Sequence, residues 1–371
     1  MSGLDIRLKH QLGAFQLDVS LQSEAGGVTA LFGPSGAGKT SLIRAVAGLL
    51  EPDDGYIEIG GHVLLDSSKG ISLAPKNRRV GYVFQDARLF PHMNVRNNLE
   101  YGKRFHKNDV QLAPVADMLG IEALLDRMPR DLSGGEAQRV AIGRALLAAP
   151  NILAMDEPLA ALDDARRSEI LPYLDNLQSF SNLQILYVSH AMSEVARLAD
   201  TIVLMRSGRV TRSGLASELL ADPSAVPEIG VREAGASLTV KISRLDAGDG
   251  LSALATSQGE LLLPRIEAQE GDLMRVRILA GDIILARERP AGLSALNILP
   301  ATVTDLQEGA GPGVAVALSS GTDKLVARIT RRSAQALALS PGMQCFAIIK
   351  SVSVASRNIG RRPDRTETQK L

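Results

Sequence analysis

The chain has 371 residues, with 41 Lys and Arg against 41 Asp and Glu, so its formal net charge is zero. Hydrophobic residues make up 45% and charged residues 22%, an ordinary globular balance that excludes a disordered chain. Neutrality offers no general attraction to nucleic acid or anionic lipid, and the length predicts two or three domains rather than one core. The balance is uneven along the chain. Residues 1–230 hold 23 basic and 27 acidic side chains, all five His, and 11 of the 12 Phe and Tyr; residues 231–371 hold 18 basic, 14 acidic and one aromatic, Phe346. A domain boundary is therefore expected near 230. Cys345 is the single cysteine, so no internal disulfide is available, and its setting QCFAII predicts a buried strand thiol. The first ten residues, MSGLDIRLKH, are charged where a signal peptide is apolar, and no apolar run approaches the ~18 residues of a spanning helix. The expectation is a soluble chain that reaches a membrane only through a partner.

In chain order, apolar β-branched runs alternate with helical patterns over residues 1–230, as in an α/β domain with a mostly parallel sheet. The first strand reads Val28–Phe32. It is followed by Gly33, Pro34, Ser35, Gly36, Ala37, Gly38, Lys39 and Thr40, which fit the phosphate-loop pattern GxxxxGK[ST], then by Ser41 and an amphipathic helix over 39–50. Glycines let backbone N–H groups curl around phosphate oxygens, and the helix N-terminus adds positive potential. Lys39 suits the β- and γ-phosphates, and the Thr40 hydroxyl suits Mg²⁺. A strand at Val80–Phe84 ends next to Gln85. From there the strand signal disappears, and a helical subdomain is expected over about 86–145. Leu132, Ser133, Gly134, Gly135 and Glu136 open LSGGEAQR and a helix over 135–148.

The run Ile152–Asp156 is a buried strand ending in Asp156 and Glu157, an expensive place for two carboxylates unless they bind or activate something. Asp156 fits a Mg²⁺-orienting carboxylate and Glu157 a group that polarises water. LAALD at 159–163 follows, ending at Asp163. A helix over 165–180, a strand at Ile185–Ser189 ending before His190, a helix over 192–198 and a strand at 202–205 complete the domain.

Past residue 231 short alternating segments with Gly-rich turns predict an all-β part. It contains a weak repeat: EGDLMRVRILAGDIILARE at 270–288 against SPGMQCFAIIKSVSVASRN at 340–358, and LLLPRI at 261–266 against LVARIT at 325–330. Two halves, 231–290 and 291–356, are expected, either as OB-like tandem barrels or as one sandwich. The polar segment 357–371, carrying +3, reads as a flexible tail.

Phosphate loop, Gln85, LSGGE, carboxylate strand, LAALD and His190, in that order over residues 1–230, resemble the ATP-binding-cassette ATPases. The resemblance implies ATP and Mg²⁺ as cofactors, with Mg²⁺ held by Thr40, Gln85 and Asp156. It implies catalysis by Glu157 and His190, and a head-to-tail dimer in which Leu132–Glu136 meets the nucleotide of a second copy. Glu136 stands where Gln is commoner. The adenine-stacking aromatic is open between Phe15 and His10. A single cassette with a β-rich extension, and the apolar segment from Gln85 to Tyr101 where the family docks a permease, imply an importer subunit at the cytoplasmic face of the membrane, served indirectly by a periplasmic binding protein. SALNIL at 294–299 and the style of residues 63–99 are similar to ATPase subunits of molybdate importers, whose Mop/TOBE modules suggest Ser294 and Asn297 as oxyanion ligands. Tungstate would be a chemically equivalent cargo. Importers of sulfate, iron, sugar or polyamine, and a cassette regulated by an oxyanion-sensing extension, stay open. Nucleic acid is not expected, because the β-rich part is nearly neutral and holds one aromatic.

Overall fold

The computed structural model describes residues 2–104, 110–180, 183–309 and 311–362. Among the described residues it divides into two compact units, one of 2–191 and Ala199–Ser213, the other of Met192–Leu198 and 214–362.

In the first unit β1 (Ser2–Leu12) and β2 (Phe15–Glu24) form an antiparallel pair whose alternating Leu4, Ile6, Leu8 and Leu17, Val19, Leu21 are buried, the period-2 signature of a half-covered sheet. β3 (Gly27–Phe32) leads into α1 (Lys39–Ala47). Then come β4 (Asp54–Ile59), β5 (His62–Asp66), β6 (Ile71–Ser72) and β7 (Val80–Val83). The expected helical subdomain contains α2 (Val95–Glu100), α3 (Leu112–Met118) and α4 (Gly134–Leu147). β8 (Ile152–Asp156), α5 (Asp164–Phe180), β9 (Gln184–Ser189), α6 (Met192–Leu198), β10 (Thr201–Arg206) and β11 (Arg209–Leu215) follow. The eleven strands make one sheet, in order β6-β5-β4-β1-β2-β11-β10-β3-β9-β8-β7.

Five of these strands, β10, β3, β9, β8 and β7, run parallel, with Phe32 opposite Ser189, Asp156 opposite Val188 and Val83 opposite Met155. Their carboxyl ends therefore lie along one edge, where open α/β sheets place their ligands. The antiparallel arm β1, β2, β4, β5 and β6 was not legible as strands, because its residues alternate with charged ones instead of forming apolar runs.

The second unit holds α6, then α7 (Ala216–Leu219) and α8 (Val226–Ile229). It continues through β12 (Gly235–Arg244), β13 (Leu251–Thr256), β14 (Gly259–Pro264), β15 (Leu273–Leu279), β16 (Ile283–Ala286), β17 (Asn297–Glu308), β18 (Gly313–Ser320), β19 (Asp323–Thr330), α9 (Arg331–Ala336), β20 (Gln344–Ile349) and β21 (Ile359–Arg362). It starts earlier than the boundary expected near 230. Val226 is buried with Ala280, Ala315 and Val326, and Ala196 at the end of α6 accepts a hydrogen bond from Ser237 Oγ at 3.2 Å, so both helices belong to this core.

Its two five-stranded sheets have the same order, β14-β13-β12-β15-β21 and β19-β18-β17-β20-β16. The repeat pairs β14 with β19 and β15 with β20. What it did not disclose is an exchange: β16, made by the first half, pairs with β20, and β21, made by the second, pairs with β15. Leu238, Leu254, Val276, Val303, Val316 and Ala347 share one apolar core across both sheets, together with the buried Cys345. The halves are thus interlocked rather than separable. Residues 359–362, expected in a flexible tail, are a sheet strand because β15 offers them an open edge; 363–371 lie outside the described residues.

Candidate active site

The loop after β3 is shaped by what glycine alone permits. A Cβ on Gly33 would lie 2.1 Å from the Met205 carbonyl oxygen, so the chain passes β10 at a distance closed to any side chain. Gly36 and Gly38 take φ of +78° and +98°, the left-handed region, and Gly38 leads directly into α1. Lys39, with 4% of its surface exposed, donates Nζ to the carbonyls of Gly33 (2.7 Å) and Pro34 (3.0 Å) and lies 3.4 Å from His190 Nδ1. Burial pulls its ammonium below the ordinary lysine range, while the Glu157 and Asp156 carboxylates hold it up.

Thr40 Oγ1 donates to Asp156 Oδ1 at 3.0 Å, and the Tyr82 hydroxyl donates to Asp156 Oδ2 at 2.9 Å. Burial, reinforced by the neighbouring Asp156 charge, pushes the Tyr82 phenol above its usual range, so it stays a donor to the carboxylate. A hydroxyl and a carboxylate side by side are hard oxygen ligands and fit Mg²⁺. One residue on, Glu157 turns at φ +50° and donates its N–H to Val188 O at 3.1 Å; its carboxylate meets His190 Nε2. A non-glycine residue in that region costs on the order of 1–2 kcal/mol and persists where surroundings impose it. Here the turn swings Glu157 away from the line of β8 and toward His190.

Lys39, Thr40, Glu157 and His190 border one cavity of about 630 Å³, whose lining is completed by Leu12, Phe15, residues 35–38 and Ser41. Of the two aromatics the sequence left open, Phe15 lines this cavity. His10 instead sits 3.2 Å from Asp53 and does not line the cavity. Four consecutive strand ends thus build the site: β3 supplies the loop, β8 the carboxylates, β9 the histidine, and β7 ends just before Gln85. Gln85 itself is exposed and outside the cavity lining.

Leu132, Ser133, Gly134, Gly135 and Glu136 also lie outside it. They form the start of α4, where Ser133 Oγ accepts from Glu136 N (3.3 Å) and Glu136 Oε2 accepts from Ser133 N (2.7 Å), a reciprocal capping box. The Ser133 backbone N–H, then its hydroxyl, hold the Glu136 carboxyl below the usual range. A carboxylate caps as well as an amide would, which gives Glu136 a structural reason to stand at this position. Asp163 Oδ1 accepts from Arg166 N at 2.9 Å at the entry to α5.

Asn297, read as an oxyanion ligand, is corrected. It is 1% exposed, accepts from Leu262 N at 2.6 Å, and donates to Leu262 O (3.0 Å) and Ser351 Oγ (3.3 Å), tying β17 to β14. Its amide is already engaged inside the core, while Ser294 is exposed in the preceding loop, so the two do not form one site. Sequence reasoning also missed Tyr82, and Arg78, which is 3% exposed and closes the carboxyl end of α1 by donating to Ala45 O (2.6 Å), Val46 O (3.1 Å) and, from Nε, Leu73 O (2.7 Å). In VGYVF the tyrosine read as another strand residue, and a dibasic NRRV gives no sign that one arginine is inside.

A family profile described as ABC transporter matches residues 17–160, and one described as TOBE domain matches 293–355. The molybdenum import ATP-binding protein ModC of Mesorhizobium japonicum is 48% identical over 358 residues, 96% of each chain. The chain belongs to the ATP-binding-cassette family. The ModC protein of Paramagnetospirillum magneticum is 48% identical over 96% of this chain and 99% of its own, and that of Rhizobium meliloti 46% over 95% and 99%. Among solved structures, cbiO1 from Clostridium perfringens, part of an ABC transporter complex, matches with a TM-score of 0.52 and 28% identity over 62% of this chain and 95% of that one. As an ABC cassette the chain binds ATP, and no helix among the described residues is long and apolar enough to cross a membrane.

Proposed function

We propose that this chain is the ATP-hydrolysing subunit of a molybdate importer. The observation that carries the proposal is its 48% identity, over 96% of the chain, to molybdenum import ATP-binding proteins. Lys39 exchanges its bonds to Gly33 O and Pro34 O for phosphate oxygens, which needs little movement because the ammonium already stands in the loop. Thr40 and Asp156 would hold Mg²⁺, which when bound would neutralise charge developing on the phosphates. Glu157 accepts a proton from the attacking water. His190, in contact with Glu157 and near Lys39, orients that carboxylate and reaches the γ-phosphate. Phe15, on the rim of the cavity, suits the adenine face.

Because Ser133–Glu136 lies outside this cavity, a second copy brings its α4 N-terminus to the nucleotide, where backbone N–H groups bind anions. The loop from Gln85 to Tyr101 meets the permease, which places the subunit at the cytoplasmic side of the membrane. In vesicles containing the permease, ATP should drive uptake of labelled molybdate, with sulfate competing poorly. Glu157→Gln should bind ATP, hold the dimer and lose about 10²–10⁴ in turnover. Sulfate carried in preference to molybdate would overturn the cargo, and normal turnover in Glu157→Gln would overturn the mechanism.

A further inference from the structure

The loop from Phe84 to Asn94 contains neither helix nor strand, yet side chains hold its backbone carbonyls in succession. Gln138, 3% exposed on α4, donates Nε2 to Phe84 O at 3.2 Å. Arg144, six residues along the same helix, donates to Ala87 O (3.2 Å) and Arg88 O (2.9 Å), and its guanidinium lies 5.2 Å from the Phe90 ring centroid. Asn98, fully buried, closes the far end by donating to Phe90 O (3.1 Å), Met93 O (2.9 Å) and Asn94 O (3.1 Å).

Gln85 falls between the carbonyl held by Gln138 and the pair held by Arg144. Arg88 takes φ +45°, a conformation that a non-glycine residue keeps only when its neighbours impose it, and its guanidinium covers the Phe84 ring at 4.3 Å. The same helix begins at the Ser133 cap.

We infer that Gln138 and Arg144 are positioning residues for Gln85, holding the backbone on either side of it. The inference rests on the proposed function and on the role at Mg²⁺ that the resemblance to ATP-binding-cassette ATPases implies for Gln85. Neither side chain touches nucleotide; each acts through the backbone on either side of Gln85.

The test is ATP turnover of the full-length protein over a Mg²⁺ titration. Gln138→Leu and Arg144→Ala should lower kcat by about tenfold to 100-fold, as for a group displaced by about an ångström. They should also raise the Mg²⁺ concentration for half-maximal rate severalfold, with affinity for a fluorescent ATP analogue measured without Mg²⁺ unchanged. Arg144→Lys, which restores one donor, should recover part of the loss, and it reads the same midpoint should Arg144→Ala not fold. Gln85→Ala is measured alongside. If Gln85→Ala leaves the Mg²⁺ midpoint unmoved, the role of Gln85 fails, and the inference with it. If Gln85→Ala moves the midpoint while folded Gln138→Leu and the Arg144 variants do not, the inference alone is overturned.

Discussion

Arg78 shows how a single side chain far from the phosphates shapes the nucleotide site. Its guanidinium occupies the carboxyl end of α1, the helix whose amino end carries Lys39 and Thr40, and burial pulls its pKa below the ordinary arginine range. A cation at that end complements the helix dipole and satisfies carbonyls that the helix leaves free. Replacing it by Met keeps most of the volume but strands the carbonyls of Ala45, Val46 and Leu73. Unsatisfied buried acceptors cost about 1–3 kcal/mol, and a thermal melt of Arg78→Met should fall by roughly 5 °C. A midpoint within a degree of wild type would show that solvent replaces the guanidinium freely. At this scale sequence is a good guide to chemistry and a poor one to support. Lys39, Thr40, Asp156, Glu157 and His190 were legible because their spacing along strand ends is dictated by phosphate geometry. Arg78, Tyr82 and Gln138 were not, since what makes them matter is the distant backbone or carboxylate each one reaches.

Among the elements, α4 carries the most consequences. Its capping box is stabilised by the ionised form of Glu136, whose folded-state pKa lies below the ordinary 4.5 because the Ser133 N–H donates to it. For a depressed carboxyl the sign is fixed: the stabilisation is fully present above the unfolded pKa and disappears as pH falls through the folded one. Glu136→Gln retains a capping group that does not titrate. The melting temperature of wild type relative to Glu136→Gln should therefore be flat from neutral pH to about 5 and should decline below it, by a small amount because the half-buried carboxylate is still screened by solvent. A difference that grows on acidification would refute the box as the source of the shift. Helix α4 was read correctly from LSGGEAQR and its apolar period, within a residue at each end. β1 and β2 were overlooked because one covered face per strand gives alternation, a weaker signal than the continuous apolar runs of β8 and β9, which are buried on both faces.

On the scale of the whole molecule, the exchange of β16 and β21 makes each half of the second unit depend on the other. Removing the chain after Asn358 would take β21 from the edge of β15 and leave a row of unpaired backbone groups. The truncated protein should melt lower and sediment as larger species at high concentration, whereas the full chain should not. An unchanged melt and sedimentation profile would mean that β21 adds nothing to this sheet. ATP binding at the phosphate loop should survive the truncation, since every group lining that cavity belongs to the first unit.

By itself, the sequence determined the cassette, the order of its motifs, the proposed catalytic pair Glu157 and His190, and the repeat of the β-rich part. Each of these is a local pattern in which neighbouring residues do one job together. Only the tertiary structure decided that Phe15 rather than His10 lines the cavity at the phosphate loop, that Asn297 ties β17 to β14 inside the core, that residues 359–362 are a strand, and that the β halves interlock. Those outcomes depend on which backbone lies opposite a side chain or an open strand edge. Such a partner is chosen by the fold from tens to hundreds of residues away, and no spacing along the chain encodes it.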